Sequence, residues 1–175
     1  MGIAGDMIAR GGNLARRYAE GLLKDVKPSD FARKPNVNGR VIDCNHPAWC
    51  YGHLAMYPFR ALTLLDLGDR AIPNPADWED LFKNGTPSPD DPAGTIFPSM
   101  QALTGHYFAA YDKALALIPE VRDEVFTRPN PAEGRWKELF PTVGSAINFL
   151  IVGHPQAHLG QVSTWRRCMG LPSAM

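Results

Sequence analysis

The chain has 175 residues, 45% of them hydrophobic and 21% charged, which is the make-up of one globular domain, spanning residues 1–175, that can bury a core without staples. Lysine plus arginine and aspartate plus glutamate both number 18, so the formal net charge is zero. No basic stripe marks a nucleic-acid partner, the Arg166-Arg167 pair being too small to count, and no apolar run is long enough to span a membrane.

The first predicted helix covers Ile3 to Lys24, where Ile3, Met7, Leu14, Tyr18 and Leu22 recur at helical intervals. Gly11-Gly12 weakens its middle and is expected to bend it, and Pro28 ends it. A polar loop with the turn formers Pro35, Asn38 and Gly39 runs from Pro28 to Asp43. The second helix opens at Asn45-His46-Pro47, with Asn45 or His46 as cap and Pro47 in the first turn. It places Trp49, His53, Met56 or Tyr57, Arg60 and Leu64 on one side, kinks at Pro58, and stops near Leu67-Gly68.

Residues 69–97 are too rich in proline for a long helix, and only Ala76 to Phe82 can form a short turn. A connection of this length can cross the whole molecule and can cover one mouth of a site. The third helix starts at the cap Ser99 and runs to Ile118, with Leu103, Tyr107, Ala110 or Tyr111, and Ala114 or Leu117 in helical period. Pro119 to Pro141 reads as irregular. The fourth helix covers Thr142 to Met169, and its stripe is Ile147, Leu150 or Ile151, His154, His158, Gln161 or Val162, and Trp165; Gly170 and Pro172 stop it. No strand pattern competes. The elements predict an all-α four-helix bundle with a long crossover between helices 2 and 3.

Two of the five histidines, His154 and His158, are four apart and so project from one helix face, a spacing that lets two imidazoles reach one ion. Both lie on an apolar stripe, where an unpartnered imidazole is costly to bury. Such a pair alone is equally compatible with hydrogen-bonded core histidines and no metal. His53 adds a third imidazole on the core-facing side of another helix, and Gly160-Gln161 follows the pair. Three histidine ligands would leave positions open on the ion, as in catalytic rather than structural zinc sites.

The pattern Trp49-x-x-Gly52-His53-Leu54-Ala55, paired with His154-x-x-x-His158-x-Gly160-Gln161, resembles the DinB/YfiT-like superfamily over nearly the whole chain. The resemblance implies an up-down-down-up bundle and one divalent metal, zinc or nickel, on His53, His154 and His158. It implies a small-molecule substrate and, in part of the family, a thiol-dependent S-transferase acting with a low-molecular-weight thiol. Other relatives are similar to thiol-dependent isomerases or to hydrolases, and a non-catalytic, stress-associated metal-binding bundle is a further alternative. A homodimer is a mild expectation of the same resemblance. The chain departs from the family at Pro155, where a plain helix former is usual. Pro155, with Gly153 beside it, should either kink the fourth helix at His154 or start a new helix with Pro155 in its first turn. A kink could swing His154 away and leave two ligands.

Gln161 is a candidate to hydrogen-bond a ligand imidazole or a metal-bound water, against plain helix packing. Trp49 and Trp165 read as core aromatics near the site, and Cys50 as a buried thiol rather than a ligand. Asp43 and Cys44 read as loop residues, His46 as a capping or surface residue about 10 Å from His53, and His106 as polar or half-buried. HExxH, nucleophile-elbow, phosphate-loop and dinucleotide patterns are absent. Cys44, Cys50 and Cys168 include no CxxC pair, which fits a reducing compartment. Met1 to Lys24 has neither the apolar region of a signal peptide nor a myristoylation serine or threonine, so the expected location is the cytoplasm.

Overall fold

The computed structural model describes residues 2–174; Met1 and Met175, and with them the outermost positions of the expected 1–175 domain, lie outside the described residues. The chain is mostly helical with very little strand. Helix α1 runs unbroken over Ile3–Leu22. Its capping residue is Gly2, which has no side chain to offer, and the Asp123 carboxylate does the work from far along the chain by accepting from the Ile3 and Ala4 amides, both at 3.0 Å. The buried face is Gly5, Ile8, Ala9, Gly12, Ala15, Ala19 and Leu22. Leu22 of the predicted stripe is buried, but the rest of the stripe is corrected at Ile3, Met7 and Leu14, which are 74%, 67% and 66% exposed. The predicted bend is corrected as well. A Cβ on Gly12 would stand 2.5 Å from Leu115 and 2.8 Å from Ile151, so the glycine lets neighbouring elements approach the α1 backbone closely instead of breaking the helix.

The loop before the second helix contains a two-stranded antiparallel hairpin, β1 (Asn36–Val37) and β2 (Arg40–Val41). Asn38 and Gly39 both have positive φ, 53° and 81°, the backbone of the tight turn that Asn-Gly favours. The expectation of no strand is therefore corrected by one short hairpin. Helix α2 (Pro47–Ala55) opens as predicted on a His46 cap, whose Nδ1 accepts from the Trp49 amide at 3.2 Å. Every residue of α2 is buried. The helix ends at Met56, and α3 (Tyr57–Leu64) restarts with Pro58 in its first turn, so the proline produces the predicted break.

The crossover carries α4 (Trp78–Phe82), where a short turn was predicted. Its return is tied by the buried Asp91 carboxylate, which accepts from the amides of Thr95, Ile96 and Phe97. Helix α5 (Met100–Leu117) starts on the Ser99 cap and buries Leu103, Tyr107, Ala110, Tyr111, Ala114, Leu115 and Leu117. The stretch predicted as irregular contains two short helices, α6 (Asp123–Thr127) and α7 (Gly134–Leu139). Prolines flank them at positions 119, 129, 131 and 141, which limits each to little more than a turn and hides it from a periodicity argument.

The fourth predicted helix is three pieces. Helix α8 (Val143–Asn148) begins with a capping box between Thr142 and Ser145, a π turn spans Phe149–Gly153, and α9 (His154–Cys168) follows with Pro155 in its first turn. In a continuous α-helix the Pro155 ring would collide with the Ile151 carbonyl and leave it unbonded. Widening the preceding turn gives that carbonyl room while the axis continues. Helices α1, α2, α5 and α9 pack on one another, α2 against α5 and α9, and α1 against α5 and α9. Their buried residues form one cluster that includes Tyr51, Tyr107, Tyr111 and Trp165. Arg166 is buried as well: its guanidinium donates to the Leu22 and Lys24 carbonyls at the end of α1 and to that of Pro172. Among the described residues no helix is long and apolar enough to cross a membrane.

Candidate metal centre

His53 comes from the middle of α2, and His154 and His158 from the first two turns of α9. The two helices pack directly, and the three imidazoles meet between them. The Nε2 atoms of His53 and His154 are 3.2 Å apart, and those of His158 and His154 are 3.0 Å apart. One ligand atom from each of the three lies within 4.8 Å of the others, so the cluster could hold a metal ion. Pro155 does not swing His154 out of this group. The π turn absorbs the proline one turn earlier, and His154 opens the new helix facing His53.

The far side of each ring sets its tautomer. His53 Nδ1 lies 2.6 Å from the Phe82 carbonyl, which can only accept, so the proton sits on Nδ1 and the Nε2 lone pair faces the cluster. His158 Nδ1 lies 3.2 Å from Gln161 Oε1, with the same consequence. His154 Nδ1 is buried with no hydrogen-bond partner among the described residues. A proton on His154 Nε2 can reach only one of the two facing lone pairs, and the one on His53 then depends on the Tyr57 hydroxyl at 3.3 Å. A cation at the meeting point satisfies all three, so the donor set fits a borderline-soft divalent ion.

Burial keeps these rings neutral. It lowers the pKa of His53 to about 4 and that of His154 to about 3, and lowers that of His158; the neighbouring imidazoles push His53 and His154 further the same way. Neutral imidazole is the form that binds metal. Rings hold the imidazoles in place. Trp49 stacks on His53 at 4.5 Å and 13°, Phe149 stacks on His154 at 5.3 Å and 23°, and Tyr57 stands edge-on to His154 at 4.3 Å.

Gln161 sits where its spacing suggested. Its side-chain oxygen accepts from His158 Nδ1, from Asn45 Nδ2 at 3.1 Å and from the Cys50 thiol at 3.7 Å. Cys50 is buried, and burial raises its thiol pKa far above the ordinary range, so it is a neutral hydrogen-bond donor to Gln161. Trp165 packs in the core but donates to the Arg33 carbonyl, away from the histidines. His46 is buried, not on the surface: it caps α2 and its Nε2 meets the Pro89 carbonyl at 2.9 Å. His106 is half-buried against Trp78. Asp43 pairs with Lys34 in the loop, and that ion pair lowers its pKa.

Several groups at the site were not singled out from sequence. The Tyr57 hydroxyl is 3.3 Å from His53 Nε2. Tyr57 is four residues beyond His53, and that spacing on one helix face could have flagged it. The Phe82 carbonyl on α4 reaches His53 across a long crossover, and backbone positions of this kind leave no trace in residue identity. The crossover makes a second contact here, Thr86 accepting from Trp49 Nε1 at 3.0 Å. Beside His154 opens a cavity of about 620 Å3, lined by Tyr57, Phe59, Arg60, Trp136, Phe149 and Leu150 among others.

A mostly helical chain whose interior brings one histidine from an early helix to two from the last defines a class of histidine-cluster helical protein. The family is the DinB superfamily: its model matches residues 13–162, and the chain belongs to it. Comparison with curated proteins and with solved structures gives no significant match.

Proposed function

We propose that this protein is a metal-dependent enzyme acting on a small molecule, with His53, His154 and His158 holding one zinc or nickel ion. The observation that carries the reading is the convergence of three Nε2 atoms whose outward Nδ1 partners, on His53 and His158, leave the lone pairs facing one point. An ion held there would act as a Lewis acid and lower the pKa of a bound water or thiol. Around it, Phe82 and Gln161 fix ring orientation, the Tyr57 hydroxyl can donate to a group on the cavity side, and the aromatic wall limits access of water. The cavity beside His154 favours catalysis over a purely structural site, because a structural site is closed by its fourth ligand.

The bundle is read as up-down-down-up in a single domain, formed by α1, α2 with α3, α5, and α8 with α9. The exposed apolar face Ile3, Met7 and Leu14 supports a homodimer. A reducing, cytoplasmic setting suits the three free cysteines. Within the family's range of chemistry we place this chain with thiol-dependent S-transferases. Metal-loaded protein assayed with a model electrophile and a panel of low-molecular-weight thiols should give turnover that requires both metal and thiol. Metal-dependent loss of the electrophile without thiol would make it a hydrolase, and no turnover in a stoichiometrically loaded protein would make it a non-catalytic metal-binding bundle.

A further inference from the structure

The cavity beside His154 has a chemical bias that the histidines do not account for. Four rings, those of Tyr57, Phe59, Trp136 and Phe149, share its lining with Leu64 and Leu150. Arg60 is the permanently charged group of that lining, and its charge is already engaged: Nη2 donates to both Glu79 oxygens, at 2.9 and 3.0 Å, and the guanidinium lies 5.0 Å over the Tyr57 ring. Among the described residues no carboxylate lines the space. An anion entering it meets an Arg60 charge already neutralised by Glu79, and a cation meets no carboxylate in the lining, so either loses hydration without full compensation. The volume of about 620 Å3 suits a small organic molecule. The Trp136 and Phe149 rings meet at 75° with centroids 5.6 Å apart, and Phe149 stacks on His154, so ring faces and edges lead from the cavity to the cluster.

We propose that this cavity binds an uncharged aromatic portion of the substrate, held by the four rings and not by Arg60, with the reactive end directed at His154 and Tyr57. The direction of the reactive end rests on the reading of the histidines as the reaction centre; binding in the cavity does not.

The test is isothermal titration calorimetry of the full-length, tag-free chain with 1-naphthol and 1-naphthoate as probes, with and without a chelator, with metal content measured on the same samples. The chelated sample decides between the probes, because there naphthoate has no metal to ligate. The expected result is 1-naphthol binding with a negative heat-capacity change, at least about tenfold tighter than naphthoate. Trp136→Ala should weaken it about tenfold and Arg60→Met by less than about twofold. Should Trp136→Ala fail to fold by circular dichroism, Thr63→Trp fills the cavity from an exposed helix position and should abolish binding. Naphthoate binding as tightly as naphthol in chelator, or naphthol binding that survives both Trp136→Ala and Thr63→Trp, overturns the proposal. Naphthol binding in protein that never takes up metal keeps the cavity reading and sinks the metal reading. Stoichiometric metal without naphthol binding does the reverse.

Discussion

His53 is held from three sides: a carbonyl on Nδ1, an indole on its face, and a hydroxyl beside Nε2. Holding a buried ring neutral has a cost that pH exposes. In the unfolded chain a histidine titrates near 6.5, whereas burial takes His53 to about 4 and His154 to about 3. Between those values the unfolded chain binds protons that the folded chain refuses, so folded stability is fully present above about 6.5 and falls as the pH drops toward 4 and then 3. Each such histidine contributes a slope of about 1.4 kcal/mol per pH unit inside its window. Urea titrations of metal-free protein from pH 7.5 to 4.5 should show this decline, and His154→Gln should flatten it by about one group's share; a flat wild-type profile would contradict the assigned burial effect. Gln161 gives a separate test at this scale. Gln161→Leu removes the acceptor that fixes the His158 tautomer, and metal affinity should fall roughly 10- to 100-fold in a competition titration with a chromophoric chelator. Unchanged affinity would reduce Gln161 to a packing residue.

At the scale of elements, the site depends on two junctions between helices. The π turn over Phe149–Gly153 is an insertion that lets Pro155 stand in the first turn of α9 while His154 faces His53. Deleting Gly153 removes the extra residue and turns α9 by about 100° relative to α8. That variant is expected to lose the metal, whereas Pro155→Ala, which leaves the residue count intact, should keep it; elemental analysis of both decides. The contact of α2 with α4 is set by Gly52, where a Cβ would lie 2.4 Å from the Phe82 ring. Gly52→Ala should therefore displace Phe82, lengthen its carbonyl's bond to His53, and lower stability by about 1–3 kcal/mol in chemical denaturation. Stability equal to wild type would show that α4 moves freely. Residue order made some of these junctions readable. Ser99 and His46 cap helices where predicted, and Pro58 breaks the second helix where predicted. Most of the face of α1 escapes the sequence pattern because its buried side is Gly and Ala apart from Ile8 and Leu22, while Ile3, Met7 and Leu14 point outward. Size misleads when a neighbour approaches the backbone itself. The hairpin at Asn38-Gly39 was signalled by its turn dipeptide but is too short to show alternation.

For the molecule as a whole, the long-range arrangement follows from where each imidazole enters the core. His53 is on a helix buried on every side, and α9 approaches it through a face that carries His154, His158 and Gln161 in successive turns. The spacing of His154 and His158 and the apolar setting of all three were legible in the sequence. The distance from His53 to the pair was not, because it depends on tertiary packing and on a π turn that periodicity does not resolve. The cavity wall was equally hidden: Tyr57 and Phe59 come from α3, Trp136 from α7 and Phe149 from the π turn, and only folding gathers them. The claim that ties these scales together is one ion on three histidines. Elemental analysis of tag-free protein, wild type beside His53→Ala, His154→Ala and His158→Ala, measures it directly. The account predicts about one transition-metal ion per wild-type chain and loss of it in each variant, all four remaining helical by circular dichroism. Stoichiometric metal retained in folded His53→Ala would contradict it.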